Sequence, residues 1–447
     1  MPFDHTAPSP SPSGPDPAPA PVPAPVPACG RGGAEPRRPV TRHGYRALLR
    51  NREFAGLHTG LALSVAASTL SGLALGTLVG ERTGSPFLTA VSMYGATFAT
   101  VLGALTLMSV ADGGRPRRTL VALQCVSLAG VAAQAVPGLP LAARFGLLLL
   151  LGFFQSLVTG TRMGLLAEAV PPEGYALARS LMNITAGATA VLGYAAGGVL
   201  LRCLTPQQVF LAAAALTAAG AAVVAATVRE RSARPARRPG LRRTRETNRE
   251  LLAHPGRRAL LLNLWVPNGL VVGCEALFLP YAPGHAGALL AAASAGMLIG
   301  DLAVGRLLTV AGRRRAAFPL RLLLAAPCLL FAFHPPLPVA LAAVLVSGAG
   351  FAATLPLQEM LLASTPDAVR GQVQGVESAG RMTCQGLGAA VAGGVAGLLA
   401  PATAITVVAA ASIVVTVASR PFVVRAARAA DAAPHHPARP RPGPAAP

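Results

Sequence analysis

Between Phe54 and Ala418 the chain returns about a dozen times to stretches of roughly twenty apolar residues. Short loops divide them, and the arginines in those loops alternate between many and few. A hydrocarbon core about 30 Å thick takes about 20 helical residues to cross, so each stretch is long enough to be a transmembrane helix. Lipid offers the backbone no hydrogen-bond partners, which leaves only helices and closed barrels. Barrel strands are about 10 residues long and alternate in polarity, and continuous runs of this length exclude them. The expected fold class is an all-α integral membrane protein.

The apolar runs place helices at roughly 54–79, 87–108, 119–136, 141–166, 178–201 and 209–228, then at roughly 259–282, 287–310, 316–333, 337–361, 375–399 and 401–418. Twelve transmembrane helices in two pseudo-symmetric six-helix bundles around a central cavity follow from a weak internal repeat. Leu48–Arg52 before the first helix resembles Leu251–Pro255 before the seventh. The loop Asp112–Arg118 recurs as Ala311–Arg315, and Val170–Glu173 recurs as Thr365–Ala368. The domain reading is a Pro/Ala-rich disordered tail at 1–44, a first bundle at 45–228, a basic linker at 229–258, a second bundle at 259–425 and a second disordered tail at 426–447. The run from Ala18 to Ala28 (APAPVPAPVPA) can form no core and favours extended, polyproline-like conformations.

Charge distribution sets the expected orientation. One set of loops carries Arg46, Arg50 and Arg52, then Arg115, Arg117 and Arg118, then the arginines of 229–258, then Arg313, Arg314 and Arg315. The opposite loops carry little beyond Arg82 and Arg202. By the positive-inside rule the rich side, with both termini, is cytoplasmic. The net charge of +21 is thereby accounted for without a nucleic-acid partner. All 38 basic residues are arginine, which with the abundance of Ala, Gly and Pro suggests a bacterial source and hence the bacterial plasma membrane. The six cysteines lack metal-ligand spacing, so neither a metal nor a cofactor is expected. With no lysine there is no Walker A motif, and no His-Glu-x-x-His or Gly-x-Ser-x-Gly occurs, so the chain is not expected to be an enzyme.

A charge at a helix centre costs roughly 2.5–3.5 kcal/mol on insertion scales, and it is expected to face a cavity or a partner. The candidates are Arg162, Glu275, Asp301, Glu359, Glu377 and Arg381. In the eleventh helix Gln374, Glu377, Ser378, Arg381 and Gln385 recur at three- and four-residue steps, and Glu377 and Arg381 are spaced for an i,i+4 ion pair. That pair is either a salt bridge that lets the helix insert or a switch released by substrate or proton. Asp301 lies near the middle of the eighth helix, where an unpaired carboxylate suits a proton carrier. Arg306, five residues on, is its alternative, a structural partner. Gln155, Thr159 and Arg162 form a polar stripe on the fourth helix.

On these residues the chain resembles the major facilitator superfamily, in particular its twelve-helix drug-efflux-like branch, from about Tyr45 to Arg425. Its loop after the second helix is similar to the family's Gly-x-x-x-Asp-Arg-x-Gly-Arg-Arg, with Asp112 at the acidic position and Arg115, Arg117 and Arg118 following, while Met108 and Gly113 depart from it. The resemblance implies that Asp112 and these arginines form a gating loop that latches the two halves. Gly193–Gly198 (GYAAGG) is similar to the Gly-Pro-x-x-Gly-Gly associated with antiporters, with Tyr194 at the proline; close helix packing explains its glycines as well. The resemblance further implies that helices three, six, nine and twelve lie outside the cavity. The expected function is export of a small amphipathic molecule in exchange for protons by alternating access, by a monomer in the lipid bilayer. Uptake of a metabolite, or a sensor or partner role without transport, are the alternatives.

Overall fold

The computed structural model describes residues 45–111, 115–231, 248–366 and 369–432. The segment 1–44, Asp112, most of the basic linker, Asp367, Ala368 and the residues after 432 lie outside the described residues. After a short helix, Tyr45–Arg50, twelve crossings follow. In the first half they are α1 (Arg52–Thr83), α2 (Pro86–Tyr94 continuing as Ala96–Ala111), α3 (Pro116–Gln134), α4 (Leu141–Ala169), α5 (Pro172–Cys203) and α6 (Pro206–Thr227). In the second half they are α7 (Pro255–Ala276, extended by Phe278–Tyr281), α8 (Ala286–Leu307), α9 (Val310–Ala325, then a 3₁₀ stretch Ala326–Phe333), α10 (Leu337–Ala349, a 3₁₀ turn, then Thr354–Ala363), α11 (Arg370–Ala396) and α12 (Pro401–Ala432).

Ten of the twelve are apolar enough to span a membrane by composition alone. The other two, α3 and α11, carry polar side chains that turn into protein: Gln124 and Gln134 are buried on α3 and Glu377 on α11. Helix starts are set by local chemistry. Asn51 accepts from the backbone N–H groups of Glu53 and Phe54, Thr205 and Gln208 form a reciprocal capping box, and prolines occupy the first turn of several helices. The twelfth helix runs well beyond the apolar run that marked it, because the Ala-rich segment that follows is a strong helix former.

Helix pairing reveals the internal symmetry. In the first bundle α1 packs on α5 and α6, α2 on α4, and α3 on α4 and α6. The same pairs six helices on pack in the second bundle: α7 on α11 and α12, α8 on α10, and α9 on α10 and α12. Between bundles the principal contacts are α5 with α8 and α2 with α11, one pair under the same relation. Gly198 of α5 meets Gly287 of α8, where a Cβ on Gly287 would stand 2.6 Å from the Gly198 Cα. Only hydrogen at both positions allows the backbones so close.

These approaches gather at mid-depth and in the arginine-poor half, where Gly393 of α11 meets Phe87 of α2 and Arg202 donates to the Gly284 carbonyl at 2.8 Å. At the arginine-rich end each bundle is tied to itself. Arg231 bridges Glu53 at 2.7 Å and Glu168 at 3.1 Å, and Arg313 bridges Glu359 at 2.8 Å. Glu359, a candidate for a solvated or interdomain role, is thus an intrabundle partner.

Arg144 near the start of α4 has no solvent exposure. Its guanidinium donates to the carbonyls of Gln134, Val136 and Leu139, the acceptors left open at the C-terminal end of α3 and its turn. Arg144→Met removes these donors, and hydrogen bonds to a charged group are worth roughly 1.5–3 kcal/mol each. We expect a lowered thermal unfolding midpoint in detergent, larger than for the exposed Arg82→Met.

Candidate functional site

The chemistry gathers where the first bundle faces α7. Tyr94 stands at the end of the first segment of α2, and its hydroxyl donates to Glu275 Oε2 at 3.3 Å. Glu275 lies near the end of the main segment of α7, past Pro267 within the helix. Tyr194 of α5 is close enough to interact electrostatically with the same carboxylate. Two phenols of one bundle therefore face a carboxyl group of the other. Among the described residues Glu275 has no cationic partner.

Tyr94 and Tyr194 also form part of the wall of a cavity of about 340 Å³. It reaches into the first bundle, past Ser64 and Gly72 of α1 and Gln155 of α4, to Gln124 of α3 and Thr217 of α6. This cavity is walled by the first bundle alone, with α3 and α6 at its back. The lining mixes Leu, Val, Met and Phe with many hydroxyl and amide groups and, among the described residues, no charged side chain. Gln124 is 3% exposed, and neither of its amide atoms has a partner.

Gln155 is exposed and lines this cavity. Arg162, two turns further along α4, is 3% exposed and donates from Nη2 to Ser64 Oγ at 3.1 Å, so it reaches the cavity wall through that serine.

Asp301 is exposed and forms no ion pair among the described residues, with Arg306 or otherwise. Helical rotation of about 100° per residue sets its direction. It falls between Leu298, which meets Gly187 of α5, and Met297, which packs against the cluster of Val271, Leu324 and Phe351 inside the second bundle. Asp301 therefore lies on the α8 face between the bundle interface and the interior.

Glu377 and Arg381 do pair, with Arg381 Nε donating to Glu377 Oε1 at 3.0 Å. Glu377 is 2% exposed and turns into the second bundle: Gln358 of α10 donates to its other oxygen at 3.2 Å, and Trp265 Nε1 donates to its backbone carbonyl at 2.9 Å. The polar stripe of α11 thus turns toward α7, with Glu377 also reaching α10 and Gln385 donating to Asn268 of α7 at 2.9 Å.

Of the gating-loop residues, Asp112 is outside the described residues. Arg115 is exposed before α3. Arg117 and Arg118 approach Glu230 at 3.7 and 3.5 Å within their own bundle.

The sequence reading passed over Tyr94 and Ser64. A usable signal existed for Tyr94: a phenol inside an apolar span needs an acceptor, and only five tyrosines occur in the chain.

A model of the Major Facilitator Superfamily matches residues 57–285. No curated protein matches the chain in sequence. Among solved structures, a POT family transporter in complex with a thioalcohol-conjugated peptide superposes with a TM-score of 0.70 at 9% identity, covering 84% of this chain and 96% of that one. A nucleoside transporter gives 0.67 at 12% identity, covering 83% and 99%. A bacterial homologue of the human lysosomal transporter Spinster, in an inward-facing and unoccupied conformation, gives 0.58 at 15% identity, covering 85% and 96%. Likeness at such identities is likeness of fold.

Proposed function

This chain belongs to the Major Facilitator Superfamily, a family of membrane transporters, and from that premise we propose that it exports a small amphipathic molecule in exchange for protons. It does so from the bacterial plasma membrane, as a monomer with its arginine-rich side and both termini in the cytoplasm. The observation that carries this reading is the Tyr94–Glu275 hydrogen bond, which joins the two bundles at a carboxyl group without a cationic partner. Alternating access moves one bundle against the other. Parting the arginine-poor end draws Tyr94 from Glu275 and exposes a carboxyl group that then exchanges its proton. The described arrangement, joined at the arginine-poor end, is the inward-facing state of this cycle. The uncharged cavity wall receives the substrate's apolar body, and its hydroxyl and amide groups meet the polar end. Asp301, exposed and without an ion partner, is the second proton site. Arg162 and Gln155 orient the substrate, and the Glu377–Arg381 pair holds α11 on α7 as the bundles move. Residues 229–258 serve as the hinge, and the Asp112–Arg118 loop as the gate at the cytoplasmic end.

A second reading, uptake of a polar metabolite, is favoured by the hydrogen-bonding groups of the cavity wall.

Accumulation of a panel of fluorescent and antibiotic compounds in efflux-deficient bacteria expressing the protein tests the choice. We expect some compound to accumulate less, and a protonophore to abolish the difference. Asp301→Asn, at equal expression, should reduce it. Higher accumulation of a panel member would establish uptake. No change with any compound, from folded protein in the membrane, would remove the support for export of drug-like molecules.

A further inference from the structure

Arg321 lies about three turns into α9, past the Arg313–Arg315 run, and is 1% exposed. Its Nε donates to Asn263 Oδ1 at 3.3 Å, but both terminal nitrogens, Nη1 and Nη2, are buried without a hydrogen-bond partner. A guanidinium carries five N–H donors in a rigid plane, and leaving them unmet inside a protein is costly. Glu377 and Arg381 of α11 are close enough to interact electrostatically with Arg321. Both oxygens of Glu377 are already taken, by Arg381 and by Gln358. One carboxylate therefore serves two arginines, and the interior keeps a surplus of positive charge.

Beside Arg321 lies a pocket of about 90 Å³ between α7, α9, α10 and α12, well apart from the Tyr94–Glu275 site. Arg314 and Arg420 line it too, and among the described residues no carboxylate does. The Arg420 guanidinium rests over the Phe318 ring, 4.6 Å from its centroid, which holds that cation at the pocket. Thr416, one helical turn before Arg420, adds a buried hydroxyl that also lacks a partner. The Arg321 and Arg420 guanidinium groups and the open Thr416 hydroxyl around a small cleft form a receptor for a compact, multiply accepting anion.

We propose that this pocket binds a phosphate group at the arginine-rich end of the second bundle. The phosphate belongs either to an anionic phospholipid reaching in between α9 and α12 or to free inorganic phosphate. Basic pockets between membrane helices at the positive side are suited to anionic headgroups. Binding there ties α9, α7 and α12 together and supplies the acceptors that Arg321 lacks.

The test uses full-length protein in a neutral detergent, with the fluorescence of Trp265, the single tryptophan, and the thermal unfolding midpoint as readouts. Phosphatidylglycerol, phosphatidylcholine and sodium phosphate are titrated separately, at constant ionic strength, into wild type, Arg321→Gln and Thr416→Val. We expect saturable stabilisation of wild type by phosphatidylglycerol or by phosphate, and none by phosphatidylcholine. A response to phosphatidylglycerol alone assigns a lipid, and a response to inorganic phosphate assigns the free anion. Arg321→Gln should weaken the apparent affinity roughly tenfold to a hundredfold, the loss of a charge-assisted hydrogen bond. Thr416→Val, which keeps every charge, should weaken it by roughly fivefold. It decides the matter should Arg321→Gln fail to fold. Equal stabilisation of wild type and Thr416→Val, equal effects of the neutral lipid, or no response of wild type to either anion would overturn the proposal.

Discussion

Glu275→Gln is expected to lose proton-driven transport while the protein folds and binds substrate normally. The amide oxygen still accepts from Tyr94, so the contact between bundles survives. What disappears is the ability to take up and release a proton at that point. The two steps that depend on a change of charge there should then slow by roughly ten- to a hundredfold, the scale of a charge-assisted hydrogen bond lost in one state only. The measurement is transport into proteoliposomes with an imposed pH gradient, beside exchange of labelled for unlabelled substrate without one. Driven flux should collapse and exchange persist. Tyr94→Phe separates the two partners: it leaves the carboxyl group titratable but frees it from its donor, so driven flux should fall less than in Glu275→Gln. Undiminished driven flux in Glu275→Gln would transfer coupling to Asp301, the other carboxylate without an ion partner on the inner face.

The second large effect is conformational. At Gly287 a Cβ would stand 2.6 Å from the Gly198 Cα and 2.7 Å from the Tyr194 carbonyl oxygen. Both obstacles are backbone, which cannot rotate away as a side chain does. Gly287→Leu should therefore wedge α5 from α8 and penalise the state in which the arginine-poor end is joined. Overpacking costs about 1–3 kcal/mol. Such a bias shifts a two-state equilibrium by roughly 5- to 150-fold toward the form open at that end. Spin labels on cysteines replacing the exposed Val136 and Ala400, in a background without native cysteines, report the separation of the two bundles there. The distance distribution should move to longer values in Gly287→Leu. It should stay unchanged in Gly284→Ala, where an added Cβ meets open space. An unmoved distribution in Gly287→Leu would mean that α5 and α8 do not form the closing contact. Transport should fall as well, because a carrier held in one state completes few cycles.

How legible each part was depends on whether its signal is local. The crossings were legible because the requirement for twenty apolar residues acts on each stretch independently. Even the two most polar helices, α3 and α11, were found, since their Gln124, Gln134 and Glu377 interrupt the apolar run too sparsely to end it. The Glu377–Arg381 pair was legible for the same reason, as an i,i+4 spacing fixes neighbours on any helix. The loops were partly legible. Arginine counts marked them as one side of the membrane, but nothing in Arg117 or Arg313 foretold Glu230 and Glu359 as partners. Glu230 comes from the segment after α6 and Glu359 from α10, both distant in sequence.

The site itself lay beyond such reading. Tyr94 and Glu275 are 181 positions apart, and Arg162 and Ser64 are 98 apart. A rotation of either helix by a few tens of degrees would separate them while leaving every apolar run intact. Arg321 is the clearest case, since an arginine shortly after the Arg313–Arg315 run shows nothing of its surroundings in the sequence. Only the packing of α7, α10, α11 and α12 around α9 shows that it is enclosed and short of acceptors. The sequence alone therefore determined the number, position and polarity of the crossings and the loops in which arginine gathers, because lipid tests each helix by its own composition. The tertiary structure decided which polar groups meet, because within the bundles those meetings depend on how helices rotate and lean against one another.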